Sequence, residues 1–327
     1  VITEPAIAPT SPVRPRTLQN VVLGAVVGLM LALGVIFLWE YLDDRVRWPE
    51  QINTVLHLPL AAVIAHIPQK GKRTFNGGQR TWGSATLIAL NEPRSPIAEA
   101  FRSLRTSIQF AGVDQPLQIV VVTSSGPGEG KSTVAANLAV VLAQTGRQTV
   151  LLDGDLRQPT AHTLLDVGQE PGLTNFMLQK KKEEDLGYEC LRPTKIPSLW
   201  IVGSGPLPPN PSELLGSQRM KHFLQWLRER DYMVVIDTPP VLAVTDALIL
   251  AAEADGVVLV TEAGSTRLES ANAARHELEK VGAHLVGVVL NKATVKNGHY
   301  SYQYYYSKSD TADGVWRKTA PSETGTK

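Results

Sequence analysis

An α/β fold, with a mostly parallel sheet covered by helices on both faces and one membrane-spanning helix ahead of it, is predicted by three observations in this 327-residue sequence. Short β-branched runs alternate with stretches long enough for helices. One long apolar run near the start carries no charge, and a glycine-rich loop lies between a strong strand pattern and a helix-compatible segment.

The elements follow in order. "TEPAIAPTSPVRPR" is proline-rich and reads as an extended connector. With valine at position 1, the sequence reads as a processed protein or as the C-terminal part of a longer one. From Val21 to Trp39, "VVLGAVVGLMLALGVIFLW" matches the roughly 20 apolar residues that a spanning helix needs. Gly24, Gly28 and Gly34 are tolerated there, and Gly24-x-x-x-Gly28 has the spacing of a helix-packing face. A cleaved signal is a poor alternative, because the run is too long and "WEYLDDRVR" follows it. Arg14 and Arg16 on one side balance Arg45 and Arg47 on the other, so charge leaves the orientation open.

Next come a short helical pattern, "WPEQINTVLHLPL", and a Gly/Lys/Arg-rich linker, "QKGKRTFNGGQR", together read as a juxtamembrane tether. Six apolar strands follow: "QIVVVT" at 118, "TVLL" at 149, "LWIVG" at 199, "YMVVID" at 232, "GVVLVT" at 256 and "LVGVVL" at 285. Runs apolar on both faces, with helix-length spacers, argue for a parallel sheet buried on both sides. The expected boundaries are a connector at 1–19, a spanning helix at 20–40, a tether at 41–92, the α/β domain at 93–294 and a tail at 295–327.

Composition excludes several classes of function. With 32 Lys+Arg against 31 Asp+Glu the net charge is +1, which gives no global electrostatic case for nucleic acid. A lone cysteine, Cys190, excludes an intrachain disulfide framework and a multi-cysteine metal site.

After "QIVVVT" comes "SSGPGEGKST", residues 124–133, followed by "VAANLAVVLAQTG". A strand before and a helix after are the context of a P-loop. Its glycines let the backbone wrap a phosphate, Lys131 reaches the β/γ oxygens, and Ser132 offers a hydroxyl to Mg²⁺. Ser125 stands where the first glycine is usual. "VVIDTPP" puts Asp237 at a strand end, where a Walker B aspartate would hold Mg²⁺. "VLLDGDLRQP" puts Asp153 and Asp155 at the end of another strand, where two carboxylates two residues apart point the same way, although a strand-end aspartate also caps helices. No H-R-D, D-F-G, A-P-E or G-x-G-x-x-G signature is present.

The tail "HYSYQYYYSK" holds five of the eight tyrosines: Tyr300, Tyr302, Tyr304, Tyr305 and Tyr306. Its Ser-, Thr-, Gly- and Lys-rich flanks speak for a solvated terminus. From composition alone, a sticky or edge-strand tail, a stacking tail and a modification substrate all remain open.

The order "GPGEGKST", "LLDGDLRQP", "GPLPPNPSELL", "VVIDTPPVLAVTDA" and a tyrosine-rich tail resembles the bacterial tyrosine kinases that accompany polysaccharide co-polymerases in capsule and exopolysaccharide export. The resemblance runs from about residue 12 to 308 and implies a P-loop NTPase fold using ATP and Mg²⁺. It also implies that the spanning helix ends a co-polymerase module, with the start of the chain outside the bacterial inner membrane and the ATPase in the cytoplasm. By the same resemblance, Lys131, Asp153 and Asp155 are catalytic, with Asp153 as base, and Ser132, Asp155 and Asp237 are metal ligands. The nucleotide set is Gly126, Pro127, Gly128, Glu129, Gly130, Lys131, Ser132 and Thr133, joined by Asn291.

"EAFRSLR" puts Glu99, Arg102 and Arg105 on one helical face. Periodicity alone favours a solvated ion-paired face, whereas the resemblance implies a subunit contact within a homo-oligomeric ring. Further implied partners are the membrane, the polysaccharide polymerisation and export machinery, and a tyrosine phosphatase. The implied function is autophosphorylation of a neighbour's tail tyrosines, which regulates polysaccharide assembly and export. Gly126 occupies the place where partition-type ATPases carry a second lysine. A membrane-tethered partition-type ATPase switch without kinase activity is the alternative.

Overall fold

The computed structural model describes residues 17–41, 43–67, 87–112, 116–179 and 189–294. It divides into a unit ending at Asp44 and a second beginning at Arg45. In the first unit, α1 runs from Thr17 to Tyr41 as a single helix. At 1.5 Å per residue it extends about 37 Å, enough for the roughly 30 Å hydrocarbon core of a bilayer. Leu23, Leu31, Phe37 and Trp39 are exposed on it. The stretch Gln19–Trp39 is long and apolar enough to cross a membrane.

The second unit is built on eight strands: β1 (Leu60–Ala65), β2 (Ile119–Ser124), β3 (Thr149–Asp153), β4 (Arg192–Pro193), β5 (Leu199–Val202), β6 (Met233–Asp237), β7 (Gly256–Glu262) and β8 (Leu285–Ala293). Their order in the sheet is β1-β8-β7-β2-β6-β3-β5-β4. Every neighbouring pair is parallel except β4 with β5. The helices are α2 (Pro49–Gln51), α3 (Ile88–Asn91), α4 (Pro96–Ala111), α5 (Lys131–Ala143), α6 (Ala161–Leu164), α7 (Leu173–Leu178), α8 (Pro211–Leu215), α9 (Gln218–Glu229), α10 (Asp246–Glu253) and α11 (Leu268–Lys280).

Alternation along the strands explains the two-sided core. In β2, Ile119 and Val121 point into a cluster with Phe223, Leu250 and Ala271, from the helices of one face. Val120 and Val122 point the other way, into a cluster with Phe101, Leu104 and the α5 residues Val134 to Ala143. Packed on the sheet and flanked by α3, α4 and α6, α5 is buried at every position from Val134 to Ala143 and can be apolar all round. Ser95 caps α4 by accepting from Ala98 N at 3.1 Å, and Pro96 opens the helix.

The expected tether is corrected in part. Within residues 41–92, the stretch from Arg45 to Ile67 belongs to the folded unit. β1 pairs in parallel with β8, and Val46, Ile52 and Leu56 are fully buried. The helical pattern of "WPEQINTVLHLPL" is real but short. It forms α2 and a π-helical turn over Ile52–Leu56, and His57 ends it in the left-handed region with φ 50°. The strand "LAAVIA" escapes notice because its alanines give no β-branched signal. Those small residues suit the close approach to β8, where a Cβ on Gly287 would meet Pro59 O at 2.7 Å and Ala61 Cβ at 3.1 Å. The linker "QKGKRTFNGGQR" and the proline-rich start lie outside the described residues. All six predicted strands are present, and the carboxyl ends of β2, β3, β6, β7 and β8 gather the residues of interest at one edge of the parallel sheet.

Candidate nucleotide and phosphoryl-transfer site

The loop between β2 and α5 is shaped by two glycines in the left-handed region, Gly128 at φ 82° and Gly130 at φ 93°. At Gly130 a Cβ would also collide with Asn291 Nδ2, so both backbone and space demand glycine. Val134 N donates to Gly130 O at 3.0 Å and begins α5, whose first amides therefore face the loop.

The loop is pinned from outside. Glu129 Oε1 accepts from Ser125 Oγ at 2.8 Å and from Thr266 Oγ1 at 2.5 Å, and its Oε2 accepts from Gly126 N at 3.1 Å. The departure at Ser125 thus has a structural role, holding the Glu129 carboxylate. Asn291 Nδ2 donates to Glu129 O at 2.8 Å. Lys292 Nζ donates to Gly128 O at 2.6 Å and to Glu262 Oε2 at 2.8 Å.

Lys131 lies among carboxylates. Its Nζ is 3.0 Å from Asp155 Oδ2 and 3.9 Å from Asp237 Oδ1, with Ser132 Oγ at 3.4 Å. Burial works against its charge, but Asp237 and Asp155 outweigh that and hold its pKa above the ordinary lysine value. Asp237 ends β6 in register with Asp153 of β3. Gly154 N donates to Asp237 O at 2.8 Å, and a Cβ at Gly154 would meet the same oxygen at 2.9 Å, so glycine lets the two strand ends close up.

Asp237 is fully buried and neither of its oxygens accepts a hydrogen bond. Burial pushes its pKa up to about 7, against the Lys131 charge, which favours ionisation. Asp153 is also fully buried. Its Oδ2 accepts from Ala161 N at 3.1 Å with His162 Nδ1 at 4.0 Å, and its Oδ1 has no hydrogen-bond partner. Burial raises its pKa too, against the hydrogen bonds from the α6 side.

The two aspartates of "LLDGDLRQP" do not share a strand face, because β3 ends at Asp153. Asp155 lies in the loop beyond. Its Oδ1 accepts from Arg157 N at 3.3 Å and Gln158 N at 2.9 Å, which turns Oδ2 towards Lys131. The strand-period argument therefore gives way to a turn. Chain direction after β3, and not strand periodicity, gives the two carboxylates different partners, Lys131 for Asp155 and the start of α6 for Asp153.

The residues present suit a divalent cation held with a nucleotide. Buried oxygens without donors sit beside a lysine and a hydroxyl. Among the described residues no group of three or more His, Cys, Asp or Glu forms a ready cage. That pattern is expected where phosphates and water supply most of the ligands.

A family model described as ParA, NUBPL iron-transfer P-loop NTPase, matches residues 116–321. The chain is 43% identical over 224 residues to the tyrosine-protein kinase YwqD of Bacillus subtilis, covering 68% of this chain and 92% of that one. The chain belongs to the bacterial tyrosine-protein kinases. It is 30% identical over 310 residues to the tyrosine-protein kinase etk of Escherichia coli K12, matching 93% of its own length and 42% of that relative. The kinase domain of E. coli ETK matches in structure with a TM-score of 0.68 at 31% identity, covering 79% of this chain and 99% of that one. A P-loop NTPase fold with this loop is a nucleotide-binding fold.

The structure thus brings Lys131, Ser132, Asp153, Asp155, Asp237, the loop residues and Asn291 together. Pro127 and Gly128 stand exposed at the loop's tip and Thr133 is half-buried in the first turn of α5. Glu99, Arg102 and Arg105 lie on α4, half-buried. Arg102 Nη1 pairs with Glu99 at 2.6 Å, Arg102 Nη2 reaches Pro93 O at 2.5 Å, and Arg105 Nη1 donates to Val141 O at 3.0 Å. The tail tyrosines 300, 302, 304, 305 and 306 lie outside the described residues. Thr266, Lys292 and His162 escape a reading of the sequence. Thr266 is 137 residues from the Glu129 it holds, and no local pattern marks such a pair. Lys292 follows Asn291 directly and could have been found by extending that assignment.

Proposed function

We propose that this family member uses ATP and Mg²⁺ to phosphorylate the tyrosine-rich tail of neighbouring copies at the bacterial inner membrane. In this reading the catalytic unit is cytoplasmic, and its phosphorylation state regulates the assembly and export, or the chain length, of an exported polysaccharide, with a tyrosine phosphatase as counterpart. The observation that carries it is the meeting at Lys131 of Asp155 and of the hydrogen-bond-deficient Asp237, at the head of a P-loop. Its relatives support it: YwqD and etk are tyrosine-protein kinases, and CapB of Staphylococcus aureus and EpsB of Ralstonia solanacearum are putative ones.

The chain's own residues divide the work. Loop amides and the α5 N-terminus hold the phosphates, and Lys131 Nζ spans them to the carboxylates. Ser132, Asp155 and Asp237 are the residues that would hold Mg²⁺, which when bound neutralises charge building on the transferred group. Asp153 offers its one oxygen without a donor, Oδ1, to the tyrosine hydroxyl. A carboxylate with a raised pKa is the better proton acceptor there. Glu99, Arg102 and Arg105 form the contact that sets copies in a ring, bringing one tail to the next site at high effective concentration.

Labelled ATP with Mg²⁺ tests this. Label on tail tyrosine is expected, and Lys131→Met lowers it by about 10²-fold or more. Phosphate release without tyrosine label would instead establish the ATPase switch. Mixing a Lys131→Met chain with an active chain whose five tail tyrosines are phenylalanine places label on the lysine variant only. Replacing Glu99, Arg102 and Arg105 together makes labelling depend steeply on protein concentration. If neither mixing nor concentration matters, transfer occurs within one subunit.

A further inference from the structure

The segment "GPLPPNPSELL" has no role in the site described so far, yet the fold brings it to one point with the two acidic motifs. That point is the carboxylate of Asp246, the fully buried first residue of α10. Arg157 Nε donates to Asp246 Oδ2 at 2.8 Å and Nη2 to Oδ1 at 3.1 Å, a two-pronged pair. Ser212 Oγ, from α8, donates to Asp246 Oδ1 at 2.5 Å and accepts from Arg157 Nη2 at 3.2 Å. Three segments separated by up to 89 residues therefore share one carboxylate.

Arg157 faces both ways. Its side chain is bolted to Asp246, while its backbone N–H, with that of Gln158, holds Asp155 Oδ1. Residues 154–158 belong to no helix or strand. The turn is tied to the β6 end through Gly154 N on Asp237 O at 2.8 Å, and to α10 through the guanidinium. Displacing Arg157 displaces the two amides that aim Asp155 at Lys131. A lysine could supply the charge but not the planar fork that fixes direction.

We infer that Arg157, clamped by Asp246 and Ser212, is a positioning residue that sets Asp155 for the cation bound with the nucleotide. The inference rests on the assignment of Asp155 as a cation ligand in the proposed function.

The test uses the full chain in detergent with ADP, with Mg²⁺ or with a chelator. Arg157→Ala lowers ADP affinity in Mg²⁺ by about tenfold and raises the Mg²⁺ needed for half-maximal labelling by about the same factor. ADP affinity in chelator stays unchanged, because the P-loop is untouched. Asp246→Asn gives the same pattern, and the double variant is no worse than either single one, since both break one clamp. Arg157→Lys and Ser212→Ala, milder changes that keep the test open should alanine at 157 fail to fold, shift the Mg²⁺ requirement by about two- to fivefold.

A purely structural ion pair would lower affinity equally with and without Mg²⁺, or leave the Mg²⁺ requirement flat, and either result overturns the inference. Asp155→Asn separates the two levels. If it raises the Mg²⁺ requirement and the clamp variants do not, only the positioning role falls. If Asp155→Asn leaves the requirement flat, the ligand assignment falls and the positioning role with it.

Discussion

Asp237 and Asp246 bound the same loop after β6, both are fully buried, and their surroundings are opposite. Asp246 accepts from Arg157 and Ser212 on both oxygens. Asp237 accepts no hydrogen bond on either, and burial lifts its pKa to about 7. Burying an ionised carboxylate is costly unless donors replace its water. At Asp246 the fold supplies them, so the residue is part of the frame. At Asp237 the fold withholds them, and the deficit is what a cation with its phosphates would fill. Burial by itself therefore does not mark a site, whereas burial with unmet hydrogen-bonding capacity does.

The largest test of that contrast is catalytic. Asp237→Asn lowers tyrosine labelling by about 10²–10³-fold, read as kcat in single-turnover experiments. Conservation of labelling would show that its bare oxygens serve no ligand.

Smaller is the effect on the frame. Arg157→Ala leaves the Asp246 carboxylate with the Ser212 hydroxyl alone and lowers stability by about 1–3 kcal/mol, measured by urea unfolding of the nucleotide-free chain. Asp246→Asn, which removes the charge as well, costs less than Arg157→Ala if the penalty comes from the stranded charge.

Smallest, and opposite in sign, is Asp237→Asn in the absence of nucleotide and metal. Removing a buried charge that has no close hydrogen bond, and whose neighbour Lys131 keeps Asp155 at 3.0 Å, raises stability by about 1 kcal/mol at pH 8. The folded Asp237 carboxyl holds its proton up to about pH 7, while the unfolded one loses it near 3.8. Its contribution to wild-type stability is thus present below about pH 4 and lost as pH rises towards 7. The advantage of the asparagine variant accordingly disappears at low pH, a trend that thermal melts between pH 4 and 8 would show. A pH-independent difference would mean that the carboxyl is already ionised when folded at low pH.

What the sequence determined by itself was local. The uncharged run of α1, the six apolar strands and the strand-loop-helix of the P-loop were legible, because each is a pattern read within about twenty residues and set by periodicity, glycine and length. Lys131 was legible because its glycine-rich loop sits between a strand and a helix, and Asp237 because its motif places it at a strand end, and a parallel sheet must bring both to one edge. Only tertiary structure decided the rest. β1 has an alanine-rich sequence with only Val63 and Ile64 as β-branched signal, and it is defined by its parallel pairing with β8. Asp153 and Asp155 part company because β3 stops between them. The pinning of Glu129 by Thr266 and the clamp of Arg157 on Asp246 span 137 and 89 residues. A hydrogen bond between such positions needs no pattern in the chain. It needs only that the packing of helices on the sheet leave one donor and one acceptor facing each other, and the whole core decides that.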